Sequence, residues 1–227
     1  MKISLCLLTR NELLGLRATL HNIPKGFYEV FAVDGRSQDG TVEALENFGI
    51  TVIPQREAGY NGAYIAAFDH FRGDAIIFFH PKGTINPQTL NTMRGLLEDG
   101  VDLVIANRNM PGASNEEDSQ LVRPRKWFVL LLSALAAFRW RIDRETAWMT
   151  DVLHGYRGLS RRFVSALQLE RASAVTADLE IVRHAYTTSA QVAEVPVLET
   201  SRAYGATNFP AWATGKRLLL YVLAKGK

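Results

Sequence analysis

Ten consecutive residues, Ala32 to Thr41, place two carboxylates (Asp34, Asp39), two glycines (Gly35, Gly40) and two hydroxyls (Ser37, Thr41) directly after an apolar run. Carboxylates and hydroxyls meet the donors and acceptors of a base or a sugar, and glycines let the main chain approach a ligand closely. A second polar cluster, Thr9-Arg10-Asn11-Glu12, ends the first apolar run, Ile3 to Leu8. Two polar strand ends side by side form the crevice in which open α/β sheets bind ligands, and this combination has the chemistry of a nucleotide pocket.

The elements that must position these groups follow from the apolar pattern. Strand-like runs recur at Ile3–Leu8, Glu29–Val33, Gly49–Ile53, Ala75–Phe79 and Val101–Ile105. Segments of helical length separate them: Leu13–Ile23, Thr41–Phe48, Tyr60–Phe71 and Asn86–Asp99. Strands apolar on both faces and alternating with helices predict an α/β fold, a largely parallel sheet flanked by helices. Asn86-Pro87 reads as a helix start, an Asn cap before Pro at the first helical position. The stretch from Asn107 to Arg125 lacks apolar periodicity, carries Glu116-Glu117-Asp118, and reads as a mobile surface loop over the site. An apolar helix from Trp127 to Phe138 follows, then a polar cluster from Thr150 to Gly158. A helical stretch from Thr176 to Thr187 and a late strand from Gln191 to Leu198 lead into Arg202 to Thr207.

The 227 residues suit one domain: a nucleotide-binding half over 1–107, an acceptor-side half over 108–208 and an amphipathic C-terminal helix over 209–227. With 47% hydrophobic and 22% charged residues the chain is neither disordered nor fibrous. The sole cysteine, Cys6, lies inside the first apolar run and reads as a core residue; a chain with one thiol forms no internal disulfide, which suits a reducing compartment. The N-terminus lacks the pattern of a secretory signal, so the expected location is the cytoplasm, with peripheral attachment to the inner face of the membrane. Arg123, Arg125 and Lys126 precede the apolar helix and Arg139, Arg141 and Arg144 follow it, while Lys216, Arg217, Lys225 and Lys227 surround Leu218–Leu223. Such flanks suit an anionic lipid surface or a phosphate-bearing substrate, and equally the solvated ends of two core helices. Trp212 and the apolar helices would rest on a membrane surface or pair in a homodimer, and the pattern does not choose.

Together the clusters resemble the inverting nucleotide-sugar glycosyltransferases of the GT-A fold, in the large family that includes dolichol-phosphate mannose synthase and polyprenyl-phosphate sugar transferases. Leu8-Thr9-Arg10-Asn11-Glu12 resembles the family's Pro-Thr-Tyr-Asn-Glu segment, and Val33 to Thr41 resembles its Val-Asp-Asp-Gly-Ser-x-Asp-Gly-Thr. Arg56 to Ala63 is similar to the glycine-rich segment that opens a helix near the nucleotide. Asp151 to Arg157 is similar to Asp-x-x-x-Gly-Phe/Tyr-Arg, and Arg202 to Thr207 to the Arg-x-x-Gly-x-Ser/Thr segment of the phosphate site. The resemblance implies that Asp34 accepts a hydrogen bond from the base and Glu12 holds base or ribose. It places Thr9, Asn11, Ser37, Asp39, Gly59, Gly62 and His80 around the donor, and Arg108, Arg123, Arg125 and Arg202 around an acceptor phosphate. The partners it implies are a nucleotide-diphosphate sugar and a lipid-phosphate or glycan acceptor, with no nucleic acid.

One segment breaks the pattern. After Ala75–Phe79 the family carries an Asp-x-Asp pair that holds Mg²⁺ or Mn²⁺ against the diphosphate, whereas this chain has His80-Pro81-Lys82-Gly83. An ammonium repels a divalent cation and a lone imidazole is a poor ligand for a hard one, so no metal ligands are assigned. Three readings of Lys82 stand: it replaces the metal's charge, it marks a catalytically silent binding subunit, or it points to solvent. In-line transfer needs a nucleophile opposite the leaving diphosphate and a cation to meet the departing charge. The residues expected to act there are Lys82, Arg157 and Asp151, the last as base if the acceptor is a hydroxyl. His154 reads as a core histidine or an alternative base, and Tyr60 and Tyr204 as cleft or packing aromatics. A nucleotidyltransferase is the remaining alternative and would need a metal-binding carboxylate that the sequence does not place.

Overall fold

Apolar side chains on both faces of the central strands commit the chain to two helical layers around one sheet. The computed structural model describes residues 1–143, 145–171, 174–200 and 211–225, with the side chains at 211 and 212 excepted. The strands are β1 (Ile3–Thr9), β2 (Glu29–Asp34), β3 (Thr51–Pro54), β4 (Ala75–Phe79), β5 (Leu103–Asn107), β6 (Arg157–Ser160) and β7 (Val192–Pro196). The helices are α1 (Leu13–Thr19), extended by a 3₁₀ turn, α2 (Thr41–Asn47), α3 (Tyr60–His70), α4 (Thr89–Glu98), α5 (Pro124–Trp140), α6 (Arg161–Ala166), α7 (Ala177–Thr187) and α8 (Ala211–Ala224).

The sheet runs β3-β2-β1-β4-β6-β5-β7, parallel except for β6, which is antiparallel to both β4 and β5. The two-residue period of a strand divides the core. Cys6 and Leu8 of β1, with Ile76 and Phe78 of β4, face α3, α5, α7 and α8; Leu5 and Leu7, with Ile77 and Phe79, face α1, α2 and α4.

Four elements differ from the sequence reading. β6 and α6 were not anticipated, because Arg157-Gly158-Leu159-Ser160 is short and has no apolar period; a Cβ at Gly158 would lie 2.9 Å from Leu97 Cδ1, so a larger residue there would displace that leucine. α4 begins at Thr89 and not at Asn86, because Asn86 Oδ1 accepts from Gln88 N at 3.0 Å and closes a separate turn first. β5 lies two residues later than its apolar run, ending on the buried Asn107.

Strand order reverses between β1 and β4: the chain passes from β1 outward to β2 and β3, then returns to pair β4 on the other side of β1. Ligand crevices of such sheets open at this point, outside the carboxyl ends of the strands. Here the two lips are residues 10–12 and residues 80–82. A close approach sets their spacing: a Cβ on Gly15 of α1 would lie 2.4 Å from Pro81 O and 2.8 Å from Lys82 C and Cα. Gly15→Ala would gain up to about 1 kcal/mol of helix propensity, but overpacking against main chain costs about 1–3 kcal/mol. Net destabilisation of about 1–2 kcal/mol is therefore expected, read as a lower urea midpoint with an unchanged slope.

Candidate functional site

The β1 and β2 ends are knotted together by side chains. The buried Asp34 carboxylate accepts from Thr9 Oγ1 at 2.8 Å, Ser37 N at 2.7 Å and Ser37 Oγ at 2.6 Å. Ser37 Oγ accepts in turn from Asn11 N at 2.8 Å, and Asn11 Oδ1 accepts from Gln38 N at 2.8 Å. Asp39 takes Leu13 N at 3.0 Å and Thr41 Oγ1 at 2.5 Å, while Thr41 Oγ1 accepts from Glu12 N at 3.0 Å. Burial works against the Asp39 charge, yet the bonds from Thr41 and Leu13 outweigh it and hold the carboxyl below its ordinary range. Asn11 and Arg36 sit at φ 54° and 66°, a left-handed conformation that non-glycine residues adopt rarely and that these bonds secure. Arg10, Asn11, Arg36, Gln38 and Asp39 stay exposed above the knot.

β3 and α3 complete this side. Gln55 N donates to Asp34 O at 2.9 Å, and Gln55 Nε2 donates to Gly59 O at 2.5 Å. Gly59, at φ 121°, opens α3, and Gly62 is buried one turn on. Across the crevice, the Tyr156 hydroxyl donates to His80 O, and a Cβ on Gly155 would lie 2.4 Å from His80 Nε2 and 2.6 Å from Tyr60 Oη. The imidazole of His80 thus occupies space that only glycine at 155 leaves open.

The residues expected at the acceptor differ from one another in what holds them. Asp151, fully buried, receives Arg108 through Nε at 2.8 Å and Nη2 at 2.9 Å, plus Arg108 N at 3.0 Å. Burial opposes its charge, but the Arg108 guanidinium prevails and holds its carboxyl low. Arg108 also faces Glu199 at 3.3 Å and keeps 17% of its side chain exposed, so it lies at the rim. Arg157 lies elsewhere than expected. It is fully buried on β6, donating to His154 O at 2.8 Å, Asp178 O at 2.9 Å and Val152 O at 2.6 Å, and faces the Asp178 carboxylate at 3.3 Å. Its donors hold main chain, so it is a brace and not a phosphate contact.

Arg123 and Arg125 each face a carboxylate at the start of α5. Arg123 pairs with Asp118 at 3.3 Å and Arg125 with Glu116 at 2.7 Å. Both serve the start of α5, where Glu117 Oε2 accepts from Arg125 N and Lys126 N at 3.1 Å. The loop read as mobile is further stitched down, with Ser114 N donating to Val197 O at 3.0 Å. Arg144, Arg202, Tyr204 and Lys227 lie outside the described residues, as does the Trp212 side chain.

Sequence reasoning missed Asn61, Asp178 and Glu180. Asn61 Nδ2 donates to Glu180 Oε1 at 2.8 Å, and Tyr64 Oη donates to Asp178 Oδ1 at 3.2 Å. Burial raises the Asp178 carboxyl despite Arg157. The legible signal was two carboxylates on the first turn of α7, set among Leu179, Ile181 and Val182.

The sequence model described as "Glycosyl transferase family 2" matches residues 4–166. The chain belongs to glycosyl transferase family 2. Its sequence is 26% identical over 191 residues to polyprenol monophosphomannose synthase of Mycolicibacterium smegmatis, covering 78% of this chain and 69% of the relative. It is 29% identical over 141 residues to glycosyltransferase AglJ of Haloferax volcanii, covering 60% of this chain and 43% of that protein. Glucosyl-3-phosphoglycerate synthase of Mycobacterium tuberculosis, solved with Mn²⁺, uridine diphosphate and phosphoglyceric acid, superposes with TM-score 0.73 at 19% identity, over 98% of this chain and 78% of that one. The chain therefore has the GT-A fold of a nucleotide-sugar glycosyltransferase.

A divalent metal fits this site poorly. Among the described residues no three His, Cys, Asp or Glu side chains converge as ligands. Asp34, Asp39 and Asp151 are each taken by donors of the chain itself.

Two measurements test the buried groups. His154 Nδ1 contacts Ala106 O, and burial pushes the imidazole down to about 3, with the Arg108 charge adding to the effect. Unfolded His titrates near about 6.5, so the unfolded chain binds more protons below that pH and folding stability falls as pH drops. From pH 7 to 5 this single group should remove about 2 kcal/mol, at about 1.4 kcal/mol per unit below 6.5. His154→Gln should remove that part of the slope in urea titrations at the two pH values. Arg157→Met should cost about 3–5 kcal/mol by stranding a buried carboxylate, measured the same way at pH 7.

Proposed function

We propose that the protein transfers a sugar from a nucleotide-diphosphate sugar to a polyprenyl phosphate or a related envelope-glycan acceptor, with inversion at the anomeric carbon. The observation that carries the reading is the Asp34–Thr9–Ser37 knot at the strand-order reversal of a family 2 chain, with polar edges exposed above it. The uridine diphosphate held by the structural relative supports a nucleotide donor, and the name of the Mycolicibacterium relative supports a polyprenyl-phosphate acceptor. In this reading Thr9, Asn11, Glu12, Asp34, Ser37 and Asp39 shape the base and ribose site. Gly59, Gly62 and His80 line the donor's far side, and Arg108 faces the acceptor. A phosphate monoester is already anionic at neutral pH, so it attacks without a general base. A hydroxyl acceptor would need one, and Asp151 would then have to exchange Arg108 for the acceptor.

A lipid-linked acceptor accounts for a second observation. α5 and α8 run side by side in the same direction, with Phe128 against Gly215 and Trp140 against Tyr221. α5 exposes Trp127, Leu130, Leu131 and Phe138, and α8 exposes Leu220 and Leu223 beside Lys216 and Arg217. An apolar stripe beside cations suits an anionic bilayer surface on which the helices lie. No helix among the described residues is long and apolar enough to cross one. The competing reading, a silent binding subunit, draws on the absent carboxylate pair after β4.

Calorimetry with UDP and GDP, followed by turnover assays with UDP- and GDP-sugars and polyprenyl phosphate, separates the readings. Binding with turnover supports transfer; binding without turnover on any acceptor supports the subunit. Asp34→Asn should weaken nucleotide binding roughly 10- to 100-fold, because it disrupts the charge-assisted bonds that hold the pocket. Leu131→Glu with Phe138→Glu should abolish co-sedimentation with anionic liposomes while leaving nucleotide binding intact; unchanged sedimentation would remove the membrane assignment.

A further inference from the structure

We infer that Lys82 supplies, through its ammonium, the positive charge that meets the donor's diphosphate, so that this chain binds and releases a nucleoside diphosphate without a divalent cation. The inference rests on the nucleotide-sugar reading above and deepens it. Its basis is where the lysine stands and what surrounds it.

Lys82 follows β4 at the strand-order reversal, on the lip of the crevice opposite residues 10–12. The turn that carries it is held from three directions. Its own N donates to His80 O at 2.7 Å, the Tyr156 hydroxyl donates to the same carbonyl, and Gly15 of α1 lets the 81–82 main chain pack within contact of the helix. Gly83, at φ +73°, then turns the chain away. A braced turn fixes the point from which the lysine reaches, so less reorganisation is needed when the ammonium meets developing phosphate charge.

The chemistry of the neighbouring side chains points the same way. Positions 80 and 82 offer an imidazole and an ammonium where a hard cation needs carboxylate oxygens. Nearby carboxylates are committed: Asp34 to Thr9 and Ser37, Asp151 to Arg108, and Asp178 to Tyr64 and Arg157. Two arginines expected at this site are engaged by the protein itself. Arg108 faces two carboxylates, and Arg157 is enclosed by main-chain carbonyls.

In the transfer, the bond between the anomeric carbon and the distal phosphate oxygen breaks, and its electron pair stays on that oxygen. The acceptor oxygen forms the new bond to the anomeric carbon from the opposite face. The departing diphosphate gains one negative charge, and the ammonium of Lys82 meets it while keeping its proton. With a phosphate acceptor no proton needs to move.

The test is calorimetry of the full chain with UDP and GDP, and with the parent nucleosides, in EDTA and again in Mn²⁺. The better diphosphate should bind with the same affinity, within twofold, in both media. Lys82→Met should weaken diphosphate binding at least roughly tenfold, as expected for loss of a charge-assisted contact, and leave nucleoside binding unchanged. Lys82→Arg should keep most of the affinity. His80→Asp combined with Lys82→Asp should make diphosphate binding depend on Mn²⁺. Diphosphate binding that requires Mn²⁺ in the wild type, or that Lys82→Met leaves unchanged, overturns the inference. Absence of binding by either nucleotide in both media overturns the nucleotide-sugar reading itself, a result distinct from the other two.

Discussion

The guanidinium of Arg157 is the interaction around which the rest of the molecule is arranged. A cation with no exposure survives only if its donors and its charge are met inside the protein. Here residues 152 and 154 supply carbonyls from one side, and α7 supplies both a carbonyl and the Asp178 carboxylate from the other. That requirement fixes the approach to β6, the strand inserted antiparallel between β4 and β5. It thereby fixes Gly155 and Tyr156 beside His80 and the crevice wall. The acid that neutralises Arg157 also accepts from Tyr64 of α3, so one buried cluster joins the two halves of the chain.

The two sides of the crevice are built on different physics. At the β1 and β2 ends, small hydroxyls and carboxylates bond across two loops at 2.5 to 3.1 Å, a short-range network that defines shape. On the other side, long arginines face carboxylates, and much of the positive charge is spent on architecture. Of the arginines flanking α5, one holds Asp118 and another Glu116, which leaves the helix start capped by Glu117. Counting basic residues therefore overstates how much charge the site can offer a phosphate.

This explains what the sequence could and could not tell. β1, β2 and β4 are legible because strands buried on both faces are continuous apolar runs. The knot is legible in outline because Thr9, Asp34, Ser37 and Asp39 are small polar groups at strand ends, where geometry leaves them few partners but each other. β6 is not legible, because four residues opened by an arginine carry no period. The role of Arg157 is hidden for the same reason: a motif position names a residue but not its burial. The partners of Arg123 and Arg125 could have been read from the acidic triplet just before them. The Arg108–Glu199 pair, separated by 91 positions, could not.

Cys6, the only thiol in the sequence, sits in the middle of β1, an interior strand with β2 on one side and β4 on the other, and it has no exposure. Burial raises its thiol well above the ordinary range, so it is neither ionised nor reachable while the sheet is closed. Its reaction with a thiol reagent thus keeps time for the opening of the central sheet. No label or mutation has to be introduced to follow that motion, and ligands that bind across β1 and β4 should slow the clock in proportion to their occupancy.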